Sequence, residues 1–128
     1  MTESPLNPNP LFPEVHVVQG ADAYANTIAV LKAFDFSPVT GKKVLLKPNV
    51  GRMSEVGSGV NTNPLVVKAA IDVFREAGAE VAIGESPITG VKTMEAYELS
   101  GVAEVVREKA CPLIDMDERK SVITSTCY

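Results

Sequence analysis

The stretch KKVLLKPNV, residues 42–50, contains the strand from which the fold is predicted. Residues 44–46 form an uninterrupted apolar run, which is typical of strands buried in a parallel sheet. Pro48 cannot donate a hydrogen bond to a neighbouring strand, so the strand is predicted to end at Lys47. Lys47 is therefore expected at the carboxyl end of a buried strand.

A long loop and a well-marked helix follow this strand. Residues 49–62 carry three glycines, and loops of this length within compact domains are often functional. Asn63 and Pro64 form a favourable helix start, with asparagine as the N-cap and proline at the first helical position. Apolar residues then recur at helical spacing until Gly78, which suits a left-handed cap. The sequence predicts a helix from Pro64 to about Gly78.

The rest of the chain continues the alternation of strands and helices. Strands are predicted at residues 15–18, 80–84 and 113–116, with a candidate fifth at 121–127, and helices at 21–34 and 93–109. Short connections between such elements imply right-handed crossovers and a parallel sheet. The predicted fold class is α/β, with a mostly parallel sheet of four to five strands and helices on both faces in a Rossmann-like, three-layer arrangement.

Length and proline content bound the domain organisation. A chain of 128 residues has the usual size of one domain. Residues 1–13 hold four prolines and two asparagines, a composition that neither pairs into a sheet nor continues a helix, so a flexible Pro-rich arm is predicted there. Residues 14–128 are predicted to form a single α/β domain, and the abrupt end after the last candidate strand suggests truncation at the C-terminus.

Composition and charge disfavour several function classes. A net charge of -4 and 5% aromatic residues without tryptophan disfavour nucleic-acid binding, which depends on neutralising phosphates and on aromatic stacking. No stretch approaches the ~20 apolar residues that span a bilayer, and the N-terminus does not resemble a signal peptide. The two cysteines lie outside any CxxC pair and complete neither a disulfide framework nor a metal site. A cytoplasmic protein without nucleic-acid or membrane partners is expected.

Candidate site residues gather where the predicted parallel strands end. Such sheets bind ligands outside the carboxyl ends of their strands. Helix starts at Asn63 and near Thr93 would present free N–H groups to an anion, with formal charge supplied by Lys47 or Arg52. The predicted catalytic residues are Lys47 and Glu85, the predicted ligand-binding residues are Asn49, Arg52, Thr62, Asn63 and Ser86, and the candidate metal ligand is Asp115.

Each candidate also has a structural interpretation. Lys47 could simply extend its ammonium group to solvent, Asn49 could hold a turn, and Asn63 could act only as a helix cap. Asp115 and Asp117 could supply oxygen ligands to Mg²⁺, or they could cap the turn after the strand. The sequence leaves both interpretations open for each of these residues.

Several motifs in order resemble one known family. They are KVLLKPN at 43–49, Thr62-Asn63-Pro64 opening a helix that ends Glu76-Ala77-Gly78-Ala79, then Gly84-Glu85-Ser86-Pro87, Ser100-Gly101 and Asp115. Over about residues 15–117 the chain resembles the bacterial and archaeal domain-of-unknown-function family numbered 362. Many members carry ferredoxin-type cysteine clusters in a separate segment, so the resemblance implies redox-linked chemistry. This chain encodes no such iron–sulfur cluster, and it has Asn63 where many relatives have histidine.

Two function classes follow from these expectations. The first is a redox-linked or metal-assisted enzyme that binds a small anionic metabolite, with Lys47 neutralising charge and Glu85 or Asp115 handling a proton or a divalent metal. The second is a non-catalytic binding or maturation module that holds a cofactor or a protein partner at the same edge. If a C-terminal segment is missing, an exposed apolar sheet edge or face would favour a dimer.

Overall fold

One small parallel sheet organises the domain. The computed structural model describes residues 14–118. The strands are β1 (Lys43–Leu46), β2 (Glu80–Glu85) and β3 (Leu113–Asp115), in the order β1-β2-β3. The helices are α1 (Ala23–Leu31), α2 (Pro64–Glu76), α3 (Thr93–Leu99) and α4 (Val102–Glu108), with a short 3-10 helix at Ser37–Val39. The predicted α/β class with a parallel sheet is confirmed.

The register of the sheet brings the three strand ends together. β1 pairs with β2 up to Leu46 opposite Ile83, and β2 pairs with β3 up to Glu85 opposite Asp115. Because both pairs are parallel, the residues that follow each strand lie along one side of the sheet. We call this side the carboxyl edge, and it includes the ends of the three strands and the segments that lead away from them.

The helix after β1 forms as its sequence predicts. Asn63 caps α2, because its side-chain oxygen accepts a hydrogen bond from the Leu65 N–H at 2.9 Å. Pro64 occupies the first turn, and Gly78 follows the helix with a φ of 85°, a left-handed conformation that suits glycine. These local signals fix where α2 begins and ends, and its start lies at the carboxyl edge.

A single core fills the space between the sheet and three helices. Val81 and Ile83 of β2 are buried, and their side chains point to the same face because alternate residues of a strand do so. The core cluster that includes them also contains Ile71 of α2, Tyr97 of α3 and Val102 of α4. The helix α1 packs on α2, where the Tyr24 hydroxyl donates to the Asp72 carboxylate at 2.9 Å. None of the described helices is long and apolar enough to cross a membrane.

Residues 15–18 do not form the predicted first strand, and that prediction was wrong. Val15 and Val17 are 85% and 84% exposed, and no strand of the described region pairs with them. β-Branched residues favour a strand only where a neighbouring strand or a core receives them. The sheet of residues 14–118 therefore has three strands instead of four to five, and the candidate strand at 121–127 lies outside the described residues.

The described helices do not cover both faces of the sheet. Leu45 lies on the face opposite the core and is 48% exposed. Its side chain and that of Met116 lean over Gly84, coming within 3.0 and 3.3 Å of the position where a Cβ atom on Gly84 would lie. Glycine is therefore the residue that allows this close packing. Residues 14–118 form two layers rather than the predicted three.

Ile83→Ala is expected to lower the free energy of unfolding by about 2–5 kcal/mol, because it leaves a cavity at a fully buried position between the sheet and the helices. Urea denaturation measures this change. Val17→Ala is the control, since Val17 is largely exposed, and it should alter the free energy of unfolding by less than about 0.5 kcal/mol. Equal losses in the two variants would contradict this assignment of the core.

Candidate functional site

Glu85 is the central polar residue of the carboxyl edge. It ends β2 and its side chain is only 3% exposed. Its Oε1 atom accepts hydrogen bonds from the Lys47 ammonium group and from the Ser86 N–H, the latter at 2.8 Å. Its Oε2 atom accepts one from the Val50 N–H at 3.3 Å. Both carboxylate oxygens are thus engaged by donors from two different segments of the chain.

These contacts keep the Glu85 carboxyl ionised. Burial opposes ionisation, but the hydrogen bonds from Lys47, Ser86 and Val50, together with the positive charge of Lys47, outweigh it. The pKa of Glu85 is therefore lowered from its ordinary value. An ionised carboxylate with both oxygens engaged has no proton to donate, and it is better suited to anchoring its neighbours than to exchanging protons.

Lys47 lies over Glu85 and faces the solvent. It follows β1 directly, and its side chain is 55% exposed. An ammonium group has three hydrogen-bond donors, and the contact with Glu85 fixes its position at the carboxyl edge. The two residues predicted from the sequence to be catalytic are therefore in direct contact.

Asn49 and Thr62 close the loop between β1 and α2. The Asn49 N–H donates to the Thr62 hydroxyl at 2.9 Å, and the Thr62 N–H donates to the Asn49 carbonyl at 2.8 Å. The Asn49 side-chain amide also donates to the Val60 carbonyl at 3.4 Å. Val50, which directly follows Asn49, inserts its side chain into the core. These contacts give both predicted ligand-binding residues a structural role in shaping the loop.

Arg52 and Asn63 are not part of the contact between Lys47 and Glu85. Arg52 is exposed, and its backbone exchanges two hydrogen bonds with the Asn61 side chain, at 3.4 and 2.9 Å. The side-chain oxygen of Asn63 is occupied in capping α2. Within residues 14–118 neither side chain hydrogen-bonds to the pair, so the structure does not bring all of the predicted site residues together.

A second polar cluster lies where β3 ends. The Asp115 Oδ1 atom accepts hydrogen bonds from the Thr93 hydroxyl and from the Asp117 N–H, both at 2.9 Å. The Ser86 hydroxyl in turn donates to the Asp117 carboxylate. Thr93, near which a helix was expected to start, is the first residue of α3, and its hydroxyl donates to Asp115. Lys92 is at the N-cap position, and its side chain makes no capping hydrogen bond to the helix.

Asp115 is placed by these contacts as a turn cap. Among residues 14–118, no three histidine, cysteine, aspartate or glutamate side chains are grouped closely enough to hold a metal ion. The two hydrogen bonds to Asp115 match the structural alternative that the sequence left open. The role of Asp115 as a metal ligand stays a prediction.

Tyr97 is a site residue that the sequence did not identify. It is fully buried beneath the carboxyl edge, and its hydroxyl donates to the Ile114 carbonyl at 3.3 Å. Burial raises the pKa of the phenol, as do the nearby negative charges of Glu85 and Asp115. Tyr97 lies within the helical stretch predicted at 93–109, but no local pattern reveals that it is buried with its hydroxyl beside two carboxylates.

Comparisons with known proteins agree with the resemblance found in the sequence. A family model described as domain of unknown function (DUF362) matches residues 44–127, about two thirds of the chain. The matched range includes α2 and the residues Lys47, Glu85 and Asp115 of the carboxyl edge. No curated protein and no solved structure matches the chain.

Glu85→Gln is expected to lower the free energy of unfolding at pH 7 by roughly 1–3 kcal/mol, because the amide removes the negative charge that pairs with Lys47 and replaces one accepting oxygen by an NH2 group. The folded-state pKa of Glu85 lies below its ordinary value of 4.5. The stabilisation is therefore complete above the unfolded-state pKa, and it is lost as the pH falls through the folded-state pKa. Urea unfolding curves of the wild type and the variant from pH 7 downward measure this difference.

Glu80→Gln is the matched control for this comparison. Glu80 begins the same strand and is exposed, so the substitution should change the free energy of unfolding by less than about 0.5 kcal/mol. A deficit in Glu85→Gln that stays constant as the pH falls, or the absence of a deficit at pH 7, would contradict the ion-pair assignment.

Proposed function

The chain belongs to the domain of unknown function (DUF362) family, and we propose that its carboxyl edge binds a small anionic molecule through Lys47. The supporting observation is that the Lys47 side chain is 55% exposed while its ammonium group pairs with the Glu85 carboxylate, whose side chain is only 3% exposed. A side chain that is already held in place loses less conformational freedom when a ligand binds. Lys47 is therefore ready to donate hydrogen bonds to an anion at the carboxyl edge.

Hydrogen bonding, more than net charge, would drive this binding. Glu85 neutralises Lys47, so an approaching anion meets a pair without net charge. The ammonium group nevertheless has donors beyond the one that Glu85 uses, and charge-assisted hydrogen bonds are about twice as strong as neutral ones. The favoured ligands have several acceptor oxygens on one group, as phosphates and carboxylates do.

The charges of the carboxyl edge restrict where the anion would bind. Asp115, Asp117 and Glu118 follow each other closely at the end of β3, and their negative charges would repel an anion there. Arg52 lies on the other side, in the loop that follows β1. The anion is therefore expected beside Lys47 and the β1 loop.

The ionised and inaccessible carboxylate of Glu85 is unsuited to proton transfer, which favours ligand binding without catalysis at the carboxyl edge. Its carboxylate is ionised, and its oxygens accept hydrogen bonds from three donors. A general acid or base must exchange its proton with a ligand that it contacts, whereas Glu85 lies beneath Lys47 and is nearly inaccessible. A redox-linked or metal-assisted reaction at this edge would need other chemical groups, so we favour the binding module among the two function classes.

Lys47→Met is expected to weaken the binding of inorganic phosphate about tenfold, since tenfold corresponds to 1.4 kcal/mol and a hydrogen bond to a charged group contributes about 1.5–3 kcal/mol. Amide chemical shifts in two-dimensional NMR spectra report the binding during a phosphate titration. In the wild type, the saturating shifts should include the amides of Asn49, Val50 and Ser86.

Lys43→Met is the matched control, because Lys43 lies at the opposite end of the same strand. It should leave the dissociation constant for phosphate unchanged, while urea unfolding curves establish that both variants are folded. The proposal fails if the wild type shows no saturable shifts at these amides, or if the two lysine variants bind phosphate equally well.

A further inference from the structure

A small apolar pocket lies beside Lys47, on the side of the carboxyl edge where the anion is proposed to bind. The pocket has a volume of about 190 Å³ and is open to solvent. The apolar part of its wall comes from the end of β1 and the N-terminal half of α2, and it consists of Leu46, Pro48, Val66, Val67 and Ala70. Lys47 and Thr62 complete the lining. A ligand in this pocket would therefore lie against Lys47.

The local sequence explains why this pocket forms. Leu46 is paired with Ile83 in the sheet and packs against the core, so its side chain faces α2. Val66 and Ala70 are four residues apart and therefore lie on one face of α2, the face that lines the pocket. Ala70 contributes only a methyl group to this face. The small side chain leaves a space between the strand and the helix that a larger residue would occupy.

The apolar wall favours a ligand with an apolar group. Water in such a cavity finds few hydrogen-bond partners, and an apolar group that displaces poorly ordered water gains affinity. An apolar cavity of about 150 Å³ is large enough to bind benzene. The pocket beside Lys47 thus has room for an apolar group of about six carbons.

The polar residues of the lining supply hydrogen-bond donors for a charged group. The Lys47 ammonium group has donors beyond the one that Glu85 uses. The Thr62 hydroxyl accepts a hydrogen bond from the Asn49 N–H at 2.9 Å, and a hydroxyl that accepts in this way can still donate its own hydrogen. An anionic group beside the pocket can therefore receive hydrogen bonds from two side chains.

A larger cavity on the β3 side does not suit an anion. It has a volume of about 350 Å³, and its lining includes Asp115, Asp117 and Glu118, whose negative charges would repel an anionic group. The lysine of this lining, Lys92, is paired with Glu95 at 2.8 Å. Of these two cavities, the pocket on the β1 side is the one that combines an apolar wall with donors for an anion.

We propose that the ligand of the carboxyl edge is an amphiphilic anion, a carboxylate with an apolar chain of about six carbons that occupies the pocket between β1 and α2. This inference rests on the proposed function, because Lys47 holds the charged group of the ligand in both. It adds the class of ligand to that proposal. Inorganic phosphate would occupy only the charged part of the site and leave the apolar pocket empty.

Titrations of the full chain with acetate, butyrate, hexanoate and octanoate at pH 7 and constant ionic strength test the proposal, with amide shifts in two-dimensional NMR spectra as the measurement. Hexanoate should bind about tenfold more tightly than acetate, less than the nearly fourfold per methylene group of complete burial because the pocket is open. Octanoate should bind within about twofold of hexanoate, since its last carbons extend beyond the pocket into solvent. Hexanoate, unlike acetate, should shift the amides of Val66 and Ala70.

Two substitutions separate the charged part of the site from the apolar part. Ala70→Leu fills part of the pocket, so it should weaken hexanoate binding about tenfold, to the level of acetate, and leave acetate binding unchanged. Lys47→Met should instead weaken both ligands by the same factor, because it removes a donor to the carboxylate. Ala29→Leu is the matched control for Ala70→Leu, since Ala29 is exposed in α1, and it should change neither dissociation constant.

The outcomes distinguish this inference from the proposed function. If the wild type binds phosphate but binds acetate and hexanoate equally well, the apolar pocket is overturned and the anion site stands. Affinity that continues to rise from hexanoate to octanoate, or a folded Ala70→Leu variant that binds hexanoate as the wild type does, would also overturn the pocket. If phosphate, acetate and hexanoate all give no saturable shifts, the anion site fails and this inference fails with it.

Discussion

The ion pair between Lys47 and Glu85 is the interaction on which the carboxyl edge depends. A buried carboxylate costs free energy unless its charge is paired and its oxygens accept hydrogen bonds. Glu85 meets this requirement with donors from the end of β1, from the loop through Val50, and from its own strand end. One buried charge therefore joins the segment that follows β1 to the end of β2, and the solvent-facing side of the edge follows from that arrangement.

The neighbouring strand shows the same constraint at a second carboxylate. The register places Asp115 opposite Glu85, where two unpaired negative charges would repel each other. Each carboxylate has its own donor from another element, Lys47 for Glu85 and Thr93 for Asp115. The same principle explains why the proposed anion site lies on the β1 side, beside the ammonium group of Lys47, and not over the carboxylates that follow β3.

Local sequence signals were enough to predict α2 and the end of β1. Features that depend on contacts between distant parts of the chain could not be predicted in this way. The cap at Asn63 and the left-handed Gly78 specify α2, and Pro48 ends β1, so these elements were predictable. The segment at 15–18 has strand-forming residues but no neighbouring strand, which no local pattern reveals. Likewise, the topology rule brings Lys47 and Glu85 to one edge, whereas the hydrogen bond from Val50 joins residues 35 positions apart and could not be read from the sequence.

The most direct test of this account is the ionisation of Glu85 itself. Carbon-13 NMR of the glutamate side-chain carboxyl groups, followed through a pH titration of the folded chain, measures the pKa of Glu85. The account predicts a pKa below the ordinary value of 4.5 that rises in Lys47→Met, because the variant loses a donor and a positive charge but keeps the burial. A pKa at or above the ordinary value, or one that Lys47→Met does not change, would contradict it.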